Sequence, residues 1–468
     1  MVVVASSVFI LLLTVLSRSS HAAPGRNTCD SLENGYQCRP NVTHHWGQYS
    51  SYFSVPSDIS DEIPHGCRVT FAQVLSRHGA RDPTTYKTAL YKVLVDNIQR
   101  SVTSFKGKYS FLKNYEYSLG AEQLSVFGQQ QMFNSGAKFY NRYGALAGQN
   151  PLFIRTTVSH RVIVSAENFT QGYHEMMRHD KDASRKGDYP YSPVVLDKNQ
   201  GPNVTLSHNL CDAYERRNRS ISDEARETWA SVFIPPIWTR LHRDLPGLDS
   251  VNLRLSDIVL LMDLCPFETV ASPTGAISPF CYLFSEQEWQ QYSYFKSVNT
   301  YYAFSHGATL GPTQGVGWVN ELIARMTASP VEDVTSVNHT LDDDTKTFPV
   351  GKGHVLFADF GHDNGMTTIF SAMGLYNDTK PLAFDHLDSA KTNGGYSAAW
   401  TVPFAARMYV EKMECEGEKK ELVRVIVNDR VQPLKQCGAD RLGRCTLDAF
   451  VSSLEFARNG GKWDKCFT

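Results

Sequence analysis

The chain has no internal repeat, no low-complexity tract and no long run of like charge. Neither sign of charge dominates: 46 Lys and Arg stand against 48 Asp and Glu, too near neutral for a nucleic-acid binder. No CxxC pair occurs among the ten cysteines, which argues against structural zinc. A catalytic zinc string is missing as well. The nearest, His174-Glu175-Met176-Met177-Arg178-His179, separates its histidines by five positions where HExxH requires four. No metal and no cofactor are therefore expected. Gly395-Tyr396-Ser397-Ala398-Ala399 lacks the last glycine of GxSxG, so serine nucleophile chemistry has no support there. Beyond residues 2–16, no stretch approaches the roughly 20 apolar residues that span a bilayer, and the mature chain is expected to have no membrane partner.

The exception, residues 2–16, is almost continuously apolar and is followed by Ser20-His21-Ala22, small residues of the kind a signal peptidase reads. Residues 1–22 read as a secretory leader cut after Ala22, although no Lys or Arg precedes the apolar run. Its loss removes Arg18 and takes the formal charge from −2 to −3. With 15 His and a pI near 6.7, the protein becomes net positive near pH 5, which favours an anionic substrate in an acidic medium. All ten cysteines follow the leader, and an even count there implies five disulfides. Spacing favours only the short loops Cys29/Cys38, Cys265/Cys281 and Cys437/Cys445. Six Asn-x-Ser/Thr sequons, at Asn41, Asn168, Asn203, Asn218, Asn338 and Asn377, complete the picture of a secreted glycoprotein.

What remains is too long for one typical domain of about 100–200 residues. A polar, Gly- and Pro-containing stretch over 178–202 punctuates the chain, after which Glu224-Ala225-Arg226-Glu227-Thr228-Trp229 reads as helical up to the Gly-rich segment 307–317. Val319, Leu322, Ile323 and Met326 then restore a helical stripe, closed by Pro330. This predicts an α/β domain in two parts, 23–175 and 305–468, with a helical insertion over 176–304.

The chain is organised around Arg77-His78-Gly79-Ala80-Arg81-Asp82-Pro83, an imidazole between two guanidiniums on a glycine turn. Residues 69–75 before it read as a buried parallel strand, and Tyr91, Leu94, Val95 and Ile98 after it as an amphipathic helix. A second strand runs into Gly361-His362-Asp363-Asn364-Gly365, and a third, Leu152-Phe153-Ile154-Arg155, ends in an arginine. Open α/β sheets bind ligands at the carboxyl ends of their strands, so neighbouring strands would bring these groups into one cleft. The chemistry suits a phosphate monoester. Arg77, Arg81 and Arg155 can hold non-bridging oxygens, with His362 adding a hydrogen bond. An uncharged His78 can attack phosphorus, and a protonated Asp363 can supply the leaving oxygen with a proton, then act as base for water. Taken singly the residues say less: Asp363 could cap a helix, and Arg155 could be a strand-end salt-bridge partner.

Arg77 to Pro83 resembles the RHGxRxP signature of the histidine acid phosphatases, and His362-Asp363 that family's HD motif. Cys29 through Cys38, His45-Trp46-Gly47-Gln48-Tyr49, Gly311-Pro312-Thr313-Gln314-Gly315-Val316-Gly317 and residues 422–431 extend the likeness over nearly all the mature chain, toward secreted fungal-type phytases. The resemblance implies a phosphoglycerate-mutase-like α/β domain with a smaller inserted helical domain and a site between them. It implies His78 as nucleophile, Asp363 as proton donor, and Arg77, Arg81, Arg155 and His362 as phosphate ligands. It implies the pairs Cys67/Cys415 and Cys211/Cys466 beside the three short loops, and a monomer that attacks the 3-phosphate of myo-inositol hexakisphosphate first. Lys87 and Lys113 fall where related phytases place pocket lysines; ordinary solvated lysines would look the same. Asp82, Val158 and the lysine-free stretch Ser297-Val298-Asn299-Thr300-Tyr301-Tyr302 depart from the family pattern, and fewer positive charges weaken attraction to a polyphosphate. The competing readings are a broad-specificity acid phosphatase, a metallophosphatase and a non-catalytic anion-binding glycoprotein.

Overall fold

The computed structural model describes residues 30–31, 34–197, 204–217, 219–250, 253–351 and 353–468. The leader, Cys29 with its expected bond to Cys38, and the sequons at Asn203 and Asn218 lie outside the described residues.

The sheet is built from β1 (Cys67–Arg77), β2 (Leu152–Thr157), β3 (Val194–Leu196), β4 (Leu356–Gly361), β5 (Arg407–Cys415), β6 (Leu422–Val427), β7 (Arg430–Val431) and β8 (Cys445–Thr446). Their order is β8-β6-β5-β1-β4-β2-β3, with β7 on β6. β1, β4, β2 and β3 run parallel, whereas β5 joins β1 antiparallel and the remaining pairs follow suit. The strand expected to be parallel, β1, is thus parallel on one side only. The three motif-bearing strands are immediate neighbours, with β4 between β1 and β2.

Strand alternation feeds two cores. Phe71 and Leu75 of β1, Phe357 of β4 and Met408 and Val410 of β5 face one apolar cluster. Ala72 and Val74, Ala358 and Phe360, and Tyr409 face the other. Helices α1 (Thr85–Ser101), α2 (Val126–Ala147) and α3 (His160–His179) follow β1 and β2. The α1 stripe Tyr91, Leu94, Val95 and Ile98 is buried, and Thr84 caps the helix by accepting from the Lys87 amide.

α2 and α3 touch backbone to backbone. A Cβ on Gly136 would lie 1.8 Å from the Phe169 carbonyl oxygen, and one on Gly172 would lie 1.9 Å from that of Phe133. A helical layer, α4 (Arg219–Asp244), α5 (Leu255–Ala271) and α6 (Glu286–Phe304), leads back through α7 (Val316–Thr327) to the sheet; α8 (Asp363–Ala372) follows β4. The expected division at 175/176 falls inside α3, and β3, within 176–304, belongs to the sheet.

Disulfides join Cys67 to Cys415, Cys211 to Cys466, Cys265 to Cys281 and Cys437 to Cys445. Asn41 and Asn377 are exposed, while Asn168 and Asn338 are half-buried. Among the described residues no helix is long and apolar enough to cross a membrane.

Candidate active site

β1 and β4 end in register, Arg77 opposite Gly361, so that His78 and the His362-Asp363 pair emerge side by side above the sheet. The His78 amide donates to the Gly361 carbonyl, and the two imidazole rings lie 5.4 Å apart, edge to face. The loop after β1 is held by its neighbours: the Gly79 amide donates to Ser165 Oγ of α3 at 3.1 Å and the Ala80 amide to Gln131 Oε1 of α2 at 2.9 Å. Gly79 does not adopt a left-handed conformation. It is glycine because a Cβ there would sit 2.3 Å from the Gly128 carbonyl oxygen; reciprocally, one on Gly128 would sit 1.9 Å from that of Ala80. The loop therefore lies directly on the backbone of α2.

His78 is 1% exposed, and its Nδ1–H donates to the Gly79 carbonyl at 2.8 Å. This fixes the tautomer and leaves the Nε2 lone pair unprotonated. Burial first, then the charges of Arg77 and Arg81, holds the imidazole well below the ordinary histidine range. Burial and then Arg161 likewise push His362 down to about 3.

Arg77 is fully buried against the Phe404 ring, donating through Nη1 to the carbonyls of Gln48 and of Val402, the latter at 2.8 Å. Its Nη2 pairs with Asp363 Oδ2 at 2.9 Å. Burial, and next the attraction of Asp363 opposed by the repulsion of Arg81, leave its pKa lowered to about 10. Burial alone would raise Asp363, but Arg77 and Arg81 outweigh it and keep the carboxyl below the usual range. The free site thus holds Asp363 ionised; the protonated donor expected from the sequence belongs to the phosphate-bound state. Asp363 is also the first residue of α8, after His362 at the N-cap.

Arg155 is not part of this site. It sits two residues short of the end of β2, in the same row as Asp359 and Leu75, and is 1% exposed. Its Nε donates to Asp359 Oδ1 and its Nη2 to Asp359 Oδ2, each at 2.9 Å, and Nη2 also donates to Glu321 Oε2 at 2.5 Å. With both carboxylates filled, its guanidinium is a structural ion pair. The third arginine is Arg161, at the start of α3, which repels Arg81 and acts electrostatically on both His362 and Asp363. Arg161 pairs with Glu122 at 2.8 Å, and burial followed by Arg81 lowers its pKa. Sequence reasoning missed it, yet a signal was present: Ser159-His160-Arg161 places a cation in the first helical turn, where the helix dipole disfavours one.

Arg77, Arg81 and Arg161 each keep a buried Nε–H without an acceptor. Three mutually repelling guanidiniums with unaccepted donors make a site for a multiply charged oxyanion. A cavity of about 450 Å³ opens beside it, lined by Gln48, Tyr49, Arg81, His208, Asp363 and Asn364 among others.

Lys87 lines a second cavity of about 740 Å³, with Lys296, which the sequence reading passed over. Lys87 Nζ lies 3.2 Å and Lys296 Nζ 2.8 Å from the two oxygens of buried Asp263. Lys113 is exposed on the 3-10 helix Gly107–Asn114 and lines neither cavity.

A buried, uncharged imidazole beside a carboxyl group and an arginine cluster, at the carboxyl ends of adjacent parallel strands, is the arrangement of a histidine phosphatase. Residues 68–428 match the histidine phosphatase superfamily (branch 2), and the chain belongs to that family. It is 49% identical over 468 residues to Phytase A of Emericella nidulans, covering 99% of both chains. It is 48% identical over 443 residues to Phytase A of Penicillium oxalicum, covering 94% of this chain and 95% of that one. In fold it is similar to the phytase from D. castellii, with a TM-score of 0.72 at 24% identity over 91% of this chain and 88% of that one. The Bifidobacterium longum multiple inositol polyphosphate phosphatase in complex with inositol hexasulfate gives 0.64 at 14% identity, over 88% of this chain and 97% of that one.

Proposed function

We propose that this chain is a phytase, a phosphomonoesterase that hydrolyses myo-inositol hexakisphosphate to lower inositol phosphates and orthophosphate through a phosphohistidine. The observation that carries the reading is the neutral His78 imidazole, its Nδ1–H engaged by the Gly79 carbonyl and its Nε2 lone pair free, within the arginine cluster. The near-full-length likeness to Phytase A chains supports the substrate.

Arg77, Arg81 and Arg161 hold the non-bridging oxygens, with His362 donating a further hydrogen bond. The bound phosphate takes over Arg77 from Asp363 and sets negative charge beside the carboxylate, which raises its affinity for a proton. His78 Nε2 then attacks phosphorus; the bond from phosphorus to the inositol oxygen breaks, and the Asp363 proton passes to that oxygen. In the second half, Asp363 takes a proton from water, whose oxygen attacks phosphorus as the phosphorus–nitrogen bond breaks.

The enzyme acts as a secreted, glycosylated monomer, and the first phosphate removed is the one at position 3. His78→Ala abolishes orthophosphate release from phytate near pH 5; full activity in that variant sinks the mechanism, and the regiochemistry of the first product checks the position.

A further inference from the structure

The loop after β1 meets α2 in three places. The Ala80 carbonyl accepts from the Ser125 amide at 3.0 Å, Gly79 rests on the backbone of Gly128, and the Ala80 amide donates to Gln131 Oε1 at 2.9 Å. Gln131 stands one turn on from Gly128, on the same face of the helix, and is buried there. Opposite a backbone N–H, a side-chain amide can present only its oxygen.

The third contact bears on His78. The Ala80 N–H belongs to the same planar peptide as the Gly79 carbonyl, which accepts the His78 Nδ1–H at 2.8 Å. In a trans peptide the two groups point in opposite directions, so whatever fixes one aims the other. An unbroken row of hydrogen bonds thus runs from Gln131 Oε1 through the Gly79–Ala80 peptide to the imidazole. Bonds in such a row polarise one another: an acceptor on the N–H makes the carbonyl a stronger acceptor in turn. The neutrality of the row matters as well. A carboxylate placed directly on Nδ1 would raise the ring's affinity for a proton and charge it in an acidic medium, whereas a peptide orients the ring and leaves it uncharged.

Resting on the phosphohistidine reading above, we infer that Gln131 is a positioning residue for His78, acting from α2 through the Gly79–Ala80 peptide on the Nδ1–H of the nucleophile. As the bond from Nε2 to phosphorus forms and the bond from phosphorus to the ester oxygen breaks, the ring gains positive charge while Nδ1 keeps its proton. The row strengthens with that charge. Its effect therefore falls on the transition state more than on phosphate binding, which the arginines carry.

The test uses three variants. Gln131→Met keeps the length of the side chain and removes the acceptor. Gln131→Glu keeps an acceptor, and Arg407, on the wall of the same small cavity of about 70 Å³, offers its carboxylate a counter-charge. Ser165→Ala breaks the neighbouring bond to the Gly79 amide, which belongs to a different peptide. The readouts are steady-state kinetics on phytate, the inhibition constant of orthophosphate, and the proton resonance of His78 Nδ1–H, identified by its loss in His78→Ala. Gln131→Met is expected to lower kcat about tenfold, with KM and the orthophosphate constant kept within about twofold, and to move the resonance upfield. Gln131→Glu is expected to restore most of kcat and to move the resonance downfield of the wild type, while Ser165→Ala leaves the resonance in place. Wild-type kcat in Gln131→Met, or a resonance that responds to Ser165→Ala as much as to Gln131→Met, overturns the inference. Should Gln131→Met fail to fold, the resonance in Gln131→Glu decides alone, and an unmoved line overturns the inference. If the wild type releases no orthophosphate but the resonances shift as expected, the role of Gln131 in holding the imidazole stands and the phosphatase reading fails.

Discussion

Arg155 and Arg161 lie six positions apart and carry the same charge, yet they do different work. Arg155 is locked between Asp359 and Glu321, and its removal leaves two buried carboxylates short of a partner. Arg155→Gln is expected to cost about 3–5 kcal/mol of stability, read as a lowered urea midpoint, while Arg161→Gln leaves the midpoint within experimental scatter and lowers kcat/KM for phytate by about a hundredfold. The reverse pattern would reinstate Arg155 as the phosphate ligand. Arg77, His78, Arg81, His362 and Asp363 were legible in the sequence because they form two short motifs at a strand's end, none more than four residues past its last residue. Arg155 was misplaced for a matter of register: β2 runs two residues further than its apolar pattern shows, to Thr157, and that shift drops the arginine from the rim into the sheet.

At the scale of elements, β1, β2, β4 and α7 are stitched together below the site by a buried charged network. Arg325 of α7 donates to Asp359 of β4 at 2.8 Å and to Gln73 of β1 at 2.7 Å, and Trp318 donates to the same carboxylate at 2.8 Å. Glu321 links Arg155 to Asp342, whose carboxyl is raised by burial and then by the Glu321 charge to about 9, so it is protonated in the folded protein at neutral pH. The unfolded chain releases that proton near the ordinary aspartate value of 3.8. The folded state therefore binds one proton more between those limits, and stability falls as pH rises from about 4 to about 9 and levels off above it. Asp342→Asn is expected to flatten that decline in a series of thermal unfolding curves; an unchanged slope would show that Asp342 is not the group responsible. Apart from the reading of Arg155 as a salt-bridge partner, none of this was legible in advance. The helices around it announce themselves by stripe, as α1 and α7 do, but a network spanning residues 73 to 359 leaves no local pattern.

For the whole molecule, the Cys211–Cys466 bond ties the segment ahead of the helical layer to the chain's last turn, residues 255 apart in sequence. Without it, the approach to α4 and the carboxyl-terminal segment are held by non-covalent contacts alone. A Cys211→Ala/Cys466→Ala variant is expected to lose about 2–5 kcal/mol of stability and to show raised KM before kcat falls, because His208 and Tyr214, which flank Cys211, line the first cavity. A variant with wild-type KM throughout would show that the bond does not serve the site. Spacing offers no means to choose this pairing; only the family resemblance points to it, since a bond over so long a separation has no local signature.

The contacts of α2 bear on how such a site can change. That helix meets the His78 loop through Gly128 and meets α3, which carries Arg161, through Gly136, and at both places peptide rests on peptide. The separation of His78 from Arg161 is thus set by backbone contacts with α2 and by the direct bond from the Gly79 amide to Ser165 of α3, a spacing that a side chain at either glycine can only enlarge. A phosphate has a fixed size and tolerates a fixed gauge. Whatever diversity of esters the protein accepts must be written on the opposite wall, in the helical layer, where side chains of adjustable bulk set the boundary.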